Sequence, residues 1–506
     1  MNAAALPRPT SGLDLPAALA RPTVLAAVIA AAAVALRLPL FGDPIHHIDE
    51  QFYLLAGDRL LDGRLPFVDV WDRKPFGLFL LYAAIRLLPG DGVLAYQLVS
   101  TAFAAATGFT VALIARRFTD GVGALCGGVL YVLALGIVGG GGGQSPVFYN
   151  LPVAVAALLV LRVVEAPAER RARDGALAML LMGVAIQIKY TALFEGAFLG
   201  LTLVWARRSQ PLPRLAAAAA GFAALGVAPT AAALALYAAL GHFDAFWYAN
   251  FVSIFDRVPL SAGEQADNLF RVVLFLSPVL ALTAAGLIRG PRPAGSEGRA
   301  AWLFLLGWAG TAVLGFVAFG GYYDHYALPL LTPFAAIAAA ACRSGGFGAL
   351  CVAALLFSRL AFFHPISLQS REQDRALADE LVTATAPFAS HCMLVFSHQI
   401  VVQHLTGACA VTRYMFPEHL LIERERDAIG TDQLAELRRA LDRKPGVVIA
   451  GPSTFQRPEA RSIALLHATL ARDYSPVLRG RRLDWEPERV TPTVYVRRDL
   501  LNRTRP

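Results

Sequence analysis

From residue 22 to residue 363 one long apolar run follows another, more than a soluble fold can bury. A bilayer core accepts about 20 apolar residues per helix. Runs of that kind occupy 22–41, 96–115, 121–138, 149–165, 176–194, 195–206, 215–239, 269–288, 301–319, 326–342 and 346–363, the sixth being short. Charge is correspondingly scarce: 16% of the 506 residues are Asp, Glu, Lys or Arg, against about 25% in soluble domains. The pattern predicts a polytopic α-helical membrane protein of about eleven spans. The first run exceeds a signal-peptide core and many spans follow it, so it reads as an uncleaved helix. The stretch 76–89 is too short to cross and contains Arg86, and reads as a helix lying at the interface.

Beyond residue 363 the composition becomes ordinary. That change divides the chain into a membrane domain, 1–363, and a soluble domain, 364–506, long enough for its own core. In the tail, "CMLVFS", "GVVIAG" and "TPTVYVRR" read as strands, while "DQLAELRRALDR" and "ARSIALLHATLARD" have apolar residues at helical spacing. An α/β domain follows. Cys392 and Cys409 lie in it and are free to pair if it is extracytoplasmic. No Walker loop, GxGxxG, HExxH or CxxC is present, and "GIVGGGGGQSP" lacks the lysine a phosphate cradle needs. That glycine run reads as a turn at the membrane surface. Nothing marks a nucleic-acid interface.

The arginines orient the spans. Arg116 and Arg117, then Arg170, Arg171 and Arg173, then Arg207, Arg208 and Arg214, then Arg289, Arg292 and Arg299, then Arg343 fall at alternate ends of successive runs. By the positive-inside rule these loops and the N-terminus are cytoplasmic, and the C-terminal domain is outside.

On this orientation the outer loops hold the chemistry. The first, 42–75, carries His46, His47, Asp49, Glu50, Tyr53, Asp58, Arg59, Arg64, Asp69, Asp72, Arg73 and Lys74. Span five ends in Lys189, and a lysine at that depth is a functional candidate by default. Later outer loops add Arg257, His325 and Tyr326. Carboxylates beside cations near the headgroups suit group transfer from a lipid phosphate. Cations and phenols take up the leaving group's charge, and a carboxylate takes the acceptor's proton. Bland readings compete at each position: a solvated loop for the charges, a helix cap for Asp49 or Glu50, surface histidines for His46 and His47, and a snorkelling anchor for Lys74.

The stretch "DEQFYLLAGDRLLDGRLPFVDVWDRKPFGLFLLYA" resembles the first outer loop of GT-C membrane glycosyltransferases, in the branch of aminoarabinose transferases and protein O-mannosyltransferases (glycosyltransferase family 39 type). The likeness lies in Asp49-Glu50, Tyr53, Ala56, Leu61, Gly63, Pro66-Phe67, Asp69 and Lys74-Pro75, and extends to "YYDHYALPLLTP" and "VAIQIKYTALFEG". It implies inverting transfer from a polyprenyl-phosphate sugar, at the outer face of a bacterial plasma membrane, to a lipid, glycan or protein acceptor. Asp49 matches the catalytic acid and Glu50 a helper. Lys74 matches the contact to the donor phosphate, joined by Lys189, Arg257, His325 and Tyr326; His46, His47 and Tyr53 are expected at the acceptor or sugar. Many members carry an acid in the second outer loop. Here "GGGGQSPVFYNLP" has none, leaving Gln144 or Asn150 to replace only its hydrogen bonding; no metal ligands are assigned, and a divalent metal as cofactor is left open. Two rival readings use the same charged site without chemistry: a lipid-linked sugar flippase, and a degenerate member acting as a binding subunit.

Overall fold

The computed structural model describes residues 19, 21–165, 171–290, 295–452, 456–483 and 486–503. Arg170 and Arg292, assigned above to the cytoplasmic clusters, lie outside the described residues. All eleven apolar runs form helix. In chain order the bundle is α1 (Pro22–Arg37), α2 (Ile48–Leu61) and α3 (Phe76–Arg86) of the first loop, α4 (Gly92–Ala115), α5 (Gly121–Leu135), α6 (Ser145–Val164), α7 (Ala172–Ile188), α8 (Leu193–Trp205), α9 (Leu212–Ala239), α10 (Ala262–Arg289), α11 (Gly295–Phe319), α12 (Leu331–Ala338) and α13 (Phe347–Ser358). Among the described residues, eight helical segments are long and apolar enough to cross a bilayer unaided. The chain is a multi-pass membrane protein.

Burial separates core helices from peripheral ones. In α6 most residues are buried, and α12 is buried throughout. By contrast α9, α10, α11 and α13 turn Val227, Phe270, Leu303, Leu314, Leu350 and Phe357 outward. Exposed apolar faces on that scale mark surfaces meant for lipid. Within the core, α4 and α5 approach closely at Gly108 and Gly128. A Cβ on Gly108 would sit 2.9 Å from the Gly128 carbonyl oxygen, and one on Gly128 would sit 2.7 Å from the Gly108 oxygen. Small residues at such crossings let backbones pack where no hydrophobic force drives helices together.

Two contrasting ends result. At one, the Asp120 carboxylate accepts from Ser344 N–H at 2.7 Å, Arg117 pairs with Glu165, and the Phe118 and Trp302 rings meet. The loops carrying five of the cytoplasmic-type arginines (Arg116, Arg117, Arg289, Arg299, Arg343) thus gather together. At the other end lie the first loop, the glycine run and the tip of a hairpin. That hairpin is α7–α8: Gly196 lies beside Met182 and Gly200 beside Met179, so the helices run antiparallel with Lys189 at the turn.

The first loop is more deeply packed than an interfacial helix requires. Phe76, Leu78, Phe79, Tyr82 and Ile85 of α3 are buried against α2. Arg86 bonds Asp58 of α2 at 2.5 Å, and Asp58 also takes His404 of the tail.

From α13 the chain passes through one wide turn, Arg359–Phe363, straight into α14 (His364–Thr385). A small sheet follows, built from β1 (Met393–Val395), β2 (Val447–Ala450), β3 (Tyr474–Leu478) and β6 (Thr493–Arg497), in the order β1-β2-β6-β3; β4 (Arg482–Leu483) and β5 (Glu486–Val490) form a separate ribbon. β1 runs parallel to β2, and the other two pairings are antiparallel. The three strands and two helices expected of the tail are present, and a disulfide joins Cys392 to Cys409.

Candidate active site

Where α2 begins decides what Asp49 can do. The N-cap is His47, whose Nδ1 accepts from Asp49 N–H at 3.2 Å. The cap position is therefore filled by the histidine, and the Asp49 carboxylate turns outward. Its Oδ1 lies 4.0 Å from Lys74 Nζ, and its Oδ2 accepts from Gln144 Nε2 at 2.9 Å. Burial acts to raise the Asp49 carboxyl; Lys74, then His47 and His325, with the Gln144 bond, outweigh it and hold the group below the ordinary carboxylate range. Lys74 lies 3.4 Å from Asp72 as well. Burial opposes its charge, but Asp72 and then Asp49 keep the ammonium above its ordinary value. Both groups are ionised at neutral pH.

A chain of contacts runs on from this pair. The His47 and His325 rings stand edge to face, 6.0 Å between centroids. His325 meets Tyr326 at 4.8 Å, and Lys189 Nζ sits 4.6 Å over the Tyr326 ring. Below Lys189 and Tyr326 a cavity reaches into the bundle, lined by Tyr149, Thr191, Glu195 and Phe316. Glu195 accepts from the Trp308 indole at 2.6 Å. On the other side, Lys74 lies 5.5 Å from the centre of the Tyr53 ring, which is buried. The structure thus gathers Asp49, Lys74, Lys189, His47, His325, Tyr326 and Tyr53.

Three candidates face elsewhere. One residue along a helix from Asp49, Glu50 turns inward and is fully buried against the glycine run. A Cβ at Gly142 would run into its carboxylate, so the bare glycine leaves that room to Glu50. Burial raises its carboxyl above the ordinary value, against His47, the Gly143 N–H and Arg37. His46 packs beside Gly141, and burial pushes its imidazole down to about 3, so it is neutral. Arg257 is engaged by Glu425 of the tail, which also receives Arg73 at 2.7 and 3.1 Å. It serves as an anchor between loop and tail in this arrangement rather than a free cation.

The glycine run is a packed strap rather than a surface turn. Arg37 donates to the Gly140 and Gly142 carbonyls at 2.7 and 2.6 Å, and Tyr82 to that of Gly143 at 2.6 Å. Buried carbonyls need such donors. The strap delivers Gln144 to Asp49. Asn150 instead bonds Tyr131 and the Leu328 carbonyl, away from the carboxylate.

The tail supplies residues that sequence reasoning missed. Phe416 lies 5.8 Å from Lys74, His419 packs on Trp71 at 4.6 Å, and Glu418 is pushed up to about 7 by burial and then by Asp49 and Glu425. The signal available was "FPEHLLIERE", a knot of acids and a histidine inside a domain otherwise read as peripheral.

No protein-family model matches the chain, and no curated protein matches it in sequence. Solved structures do match in shape. ArnT from Cupriavidus metallidurans bound to undecaprenyl phosphate superposes with a TM-score of 0.65 at 13% identity, over 94% of this chain and 97% of that one. The apo state of the same protein gives 0.63 at 13% identity over the same shares. Nearly the whole chain, tail included, therefore shares its fold with that membrane protein.

Proposed function

We propose that this protein transfers a sugar from a polyprenyl-phosphate donor to an acceptor hydroxyl at the outer face of a bacterial inner membrane. The observation that carries the reading is one carboxylate, Asp49, held between a partly buried lysine and an amide at one end of a GT-C bundle. Its match in shape to a protein solved with undecaprenyl phosphate supports a lipid phosphate as the donor's leaving group.

In the proposed step the acceptor oxygen bonds to the sugar's anomeric carbon as the bond from that carbon to the phosphate oxygen breaks. The electron pair leaves with the phosphate, and the acceptor's proton passes to Asp49. A single displacement inverts the anomeric centre. Lys74 and Lys189, with Tyr326, meet the departing charge. Until donor binds, Lys74 depresses the basicity of Asp49. A phosphate that competes for the ammonium relaxes that grip and makes the carboxylate a better base when it is needed. Tyr53 and His47 flank the reacting groups, and Glu50 supports the glycine strap.

The test is a purified-protein assay with arabinose, aminoarabinose, mannose, galacturonate and glucose donors on polyprenyl phosphate, offered with lipid, glycan and protein acceptors. Free polyprenyl phosphate should appear with one donor. Lys74→Ala should slow that release about 10²-fold, since each ~1.4 kcal/mol of lost charge stabilisation is tenfold. Movement of an intact donor across liposomes without cleavage would favour a flippase instead.

The proposed orientation has the N-terminus and arginine-bearing loops in the cytoplasm and residues 364–506 outside. The gathered arginine loops and the tail disulfide, which suits an oxidising compartment, support it. A cysteine introduced at Arg171 should resist an impermeant reagent in intact cells; labelling there would reverse the topology.

A further inference from the structure

At the end of the bundle where the arginine loops gather, a groove of about 660 Å³ opens between α10 and α13. Its floor is the chain leaving α12, the 3-10 segment Ala339–Gly345. Glycine seats each wall on that chain. A Cβ on Gly286 of α10 would lie 2.2 Å from the Ile337 carbonyl oxygen, and one on Gly348 of α13 would lie 2.5 Å from that of Ala341. Away from those contacts the walls part. One carries Ala281 and Ala285, the other Cys351 and Ala354, all too small to close the gap. The turn beneath is fixed from the side, because Asp120 accepts from the Ser344 N–H at 2.7 Å and from its hydroxyl at 3.2 Å.

The groove has the volume of a ligand site, roughly 300–1,000 Å³, and its lining is apolar apart from one group. Arg289, the last residue of α10, stands at its mouth. Among the described residues Arg289 is exposed and makes no ion pair and no side-chain hydrogen bond. No carboxylate lines the groove. Arg343, in the floor segment, already has Asp120 beside it.

We propose that this groove binds one anionic phospholipid from the leaflet beside the arginine loops, with an acyl chain against Leu282 and Leu355 and the phosphate on Arg289. Basic pockets between helices at the cytoplasmic face recognise headgroups of this kind. A zwitterionic lipid would bring an ammonium as well, and the groove offers no carboxylate to meet it. The donor is a different ligand, since Asp49 and Lys74 stand at the opposite end of the bundle. A lipid in this place ties α10 to α13. Through α13 it also steadies α14, where Arg375 donates to the Gly42 carbonyl at 2.7 Å and so holds the start of the first loop. Calling the leaflet cytoplasmic rests on the orientation proposed above; the site does not.

The experiment counts bound lipid. Full-length protein in detergent, stripped of lipid, is titrated with phosphatidylglycerol or with phosphatidylcholine of the same chains, and native mass spectrometry reads the occupancy. One phosphatidylglycerol per chain should bind ahead of any phosphatidylcholine. Arg289→Gln should weaken it about fivefold, the worth of one basic group beside an anionic headgroup, and leave phosphatidylcholine unchanged. Ala354→Trp fills the groove and should abolish the first binding event. Both positions are exposed, so without lipid both variants should melt with the wild type. Arg208→Gln, whose guanidinium stacks on Trp205 outside the groove, should bind as the wild type does. Equal binding of the two lipids by the wild type, or undiminished phosphatidylglycerol binding by both groove variants, overturns the site. So does a wild-type dimer that Ala354→Trp disperses, which gives the groove to a second copy, or a polyprenyl phosphate as the species retained on purification. Labelling of a cysteine at Arg171 by the impermeant reagent would reverse the leaflet and leave these binding results standing.

Discussion

Asp49→Asn is expected to lower transfer by 10²- to 10⁴-fold, the range a positioned general base supplies. The asparagine keeps the outline of the side chain, and the cap on α2 is His47, so the helix start loses nothing. Gln144 Nε2 keeps an acceptor in the amide oxygen. Donor binding, read by retention of polyprenyl phosphate, should change little, because Lys74 retains Asp72 at 3.4 Å and is freed from one competitor. The pH profile adds an independent check. A carboxyl held below the ordinary range stays ionised at every pH above it, so its protonation cannot cause loss of activity until the pH falls under the usual carboxylate value of about 4. An acid limb between about pH 5 and 7 would have to come from another group, and Glu418, pushed up to about 7, is placed to provide it. Near wild-type turnover by Asp49→Asn would end the base assignment.

The spans were legible because lipid leaves the chain little choice: backbone polar groups must bond within the helix, and apolar residues must face out. The arginine clusters stood out by a separate rule, the bias of basic loops toward one side of the membrane. Asp49 and Lys74 were legible as types, a carboxylate and a lysine close in sequence and at headgroup depth. Their partners were not. Gln144 reaches Asp49 across 95 residues and Glu425 reaches Arg73 across 352, and no local pattern encodes such meetings. The glycine run misled because glycine signals freedom in a sequence, whereas here its missing side chains make room for Glu50 and its carbonyls are held by Arg37 and Tyr82. Arg257 was a reasonable phosphate ligand by depth alone, and only the packed tail shows it committed to a carboxylate. In the tail, β3 escaped notice because Pro476 interrupts its pattern; it survives at the sheet edge, where a missing N–H costs no ladder bond.

Glu425→Ala should destabilise the folded protein by about 3–5 kcal/mol, the usual cost of stripping one partner from a buried ion pair. Glu425 is almost fully buried and receives Arg73 through both oxygens and Arg257 through one. Burial opposes its charge, yet Arg257 and then Arg73 hold the carboxyl far below the ordinary range. Its contribution is therefore present above the unfolded value, about 4.3, and fades as the pH falls below it. Removing the carboxylate leaves two half-buried guanidiniums facing each other. Arg73 retains the Ala428 carbonyl at 3.0 Å, but that neutral acceptor cannot balance them. Since Arg73 adjoins Lys74, and Phe416 of the same tail segment lies against Lys74, the loss should also loosen the lysine: kcat should fall more than donor affinity. Thermal unfolding in detergent and susceptibility of the tail to protease measure the first effect. Replacing all three groups with apolar residues (Glu425→Leu, Arg73→Met, Arg257→Met) separates charge from shape, because an apolar core of similar volume often matches a buried ion pair in stability. Recovery of the melting temperature without recovery of kcat would mean that the tail positions the catalytic loop. A melting temperature for Glu425→Ala equal to wild type would mean that loop and tail are not held together at this contact.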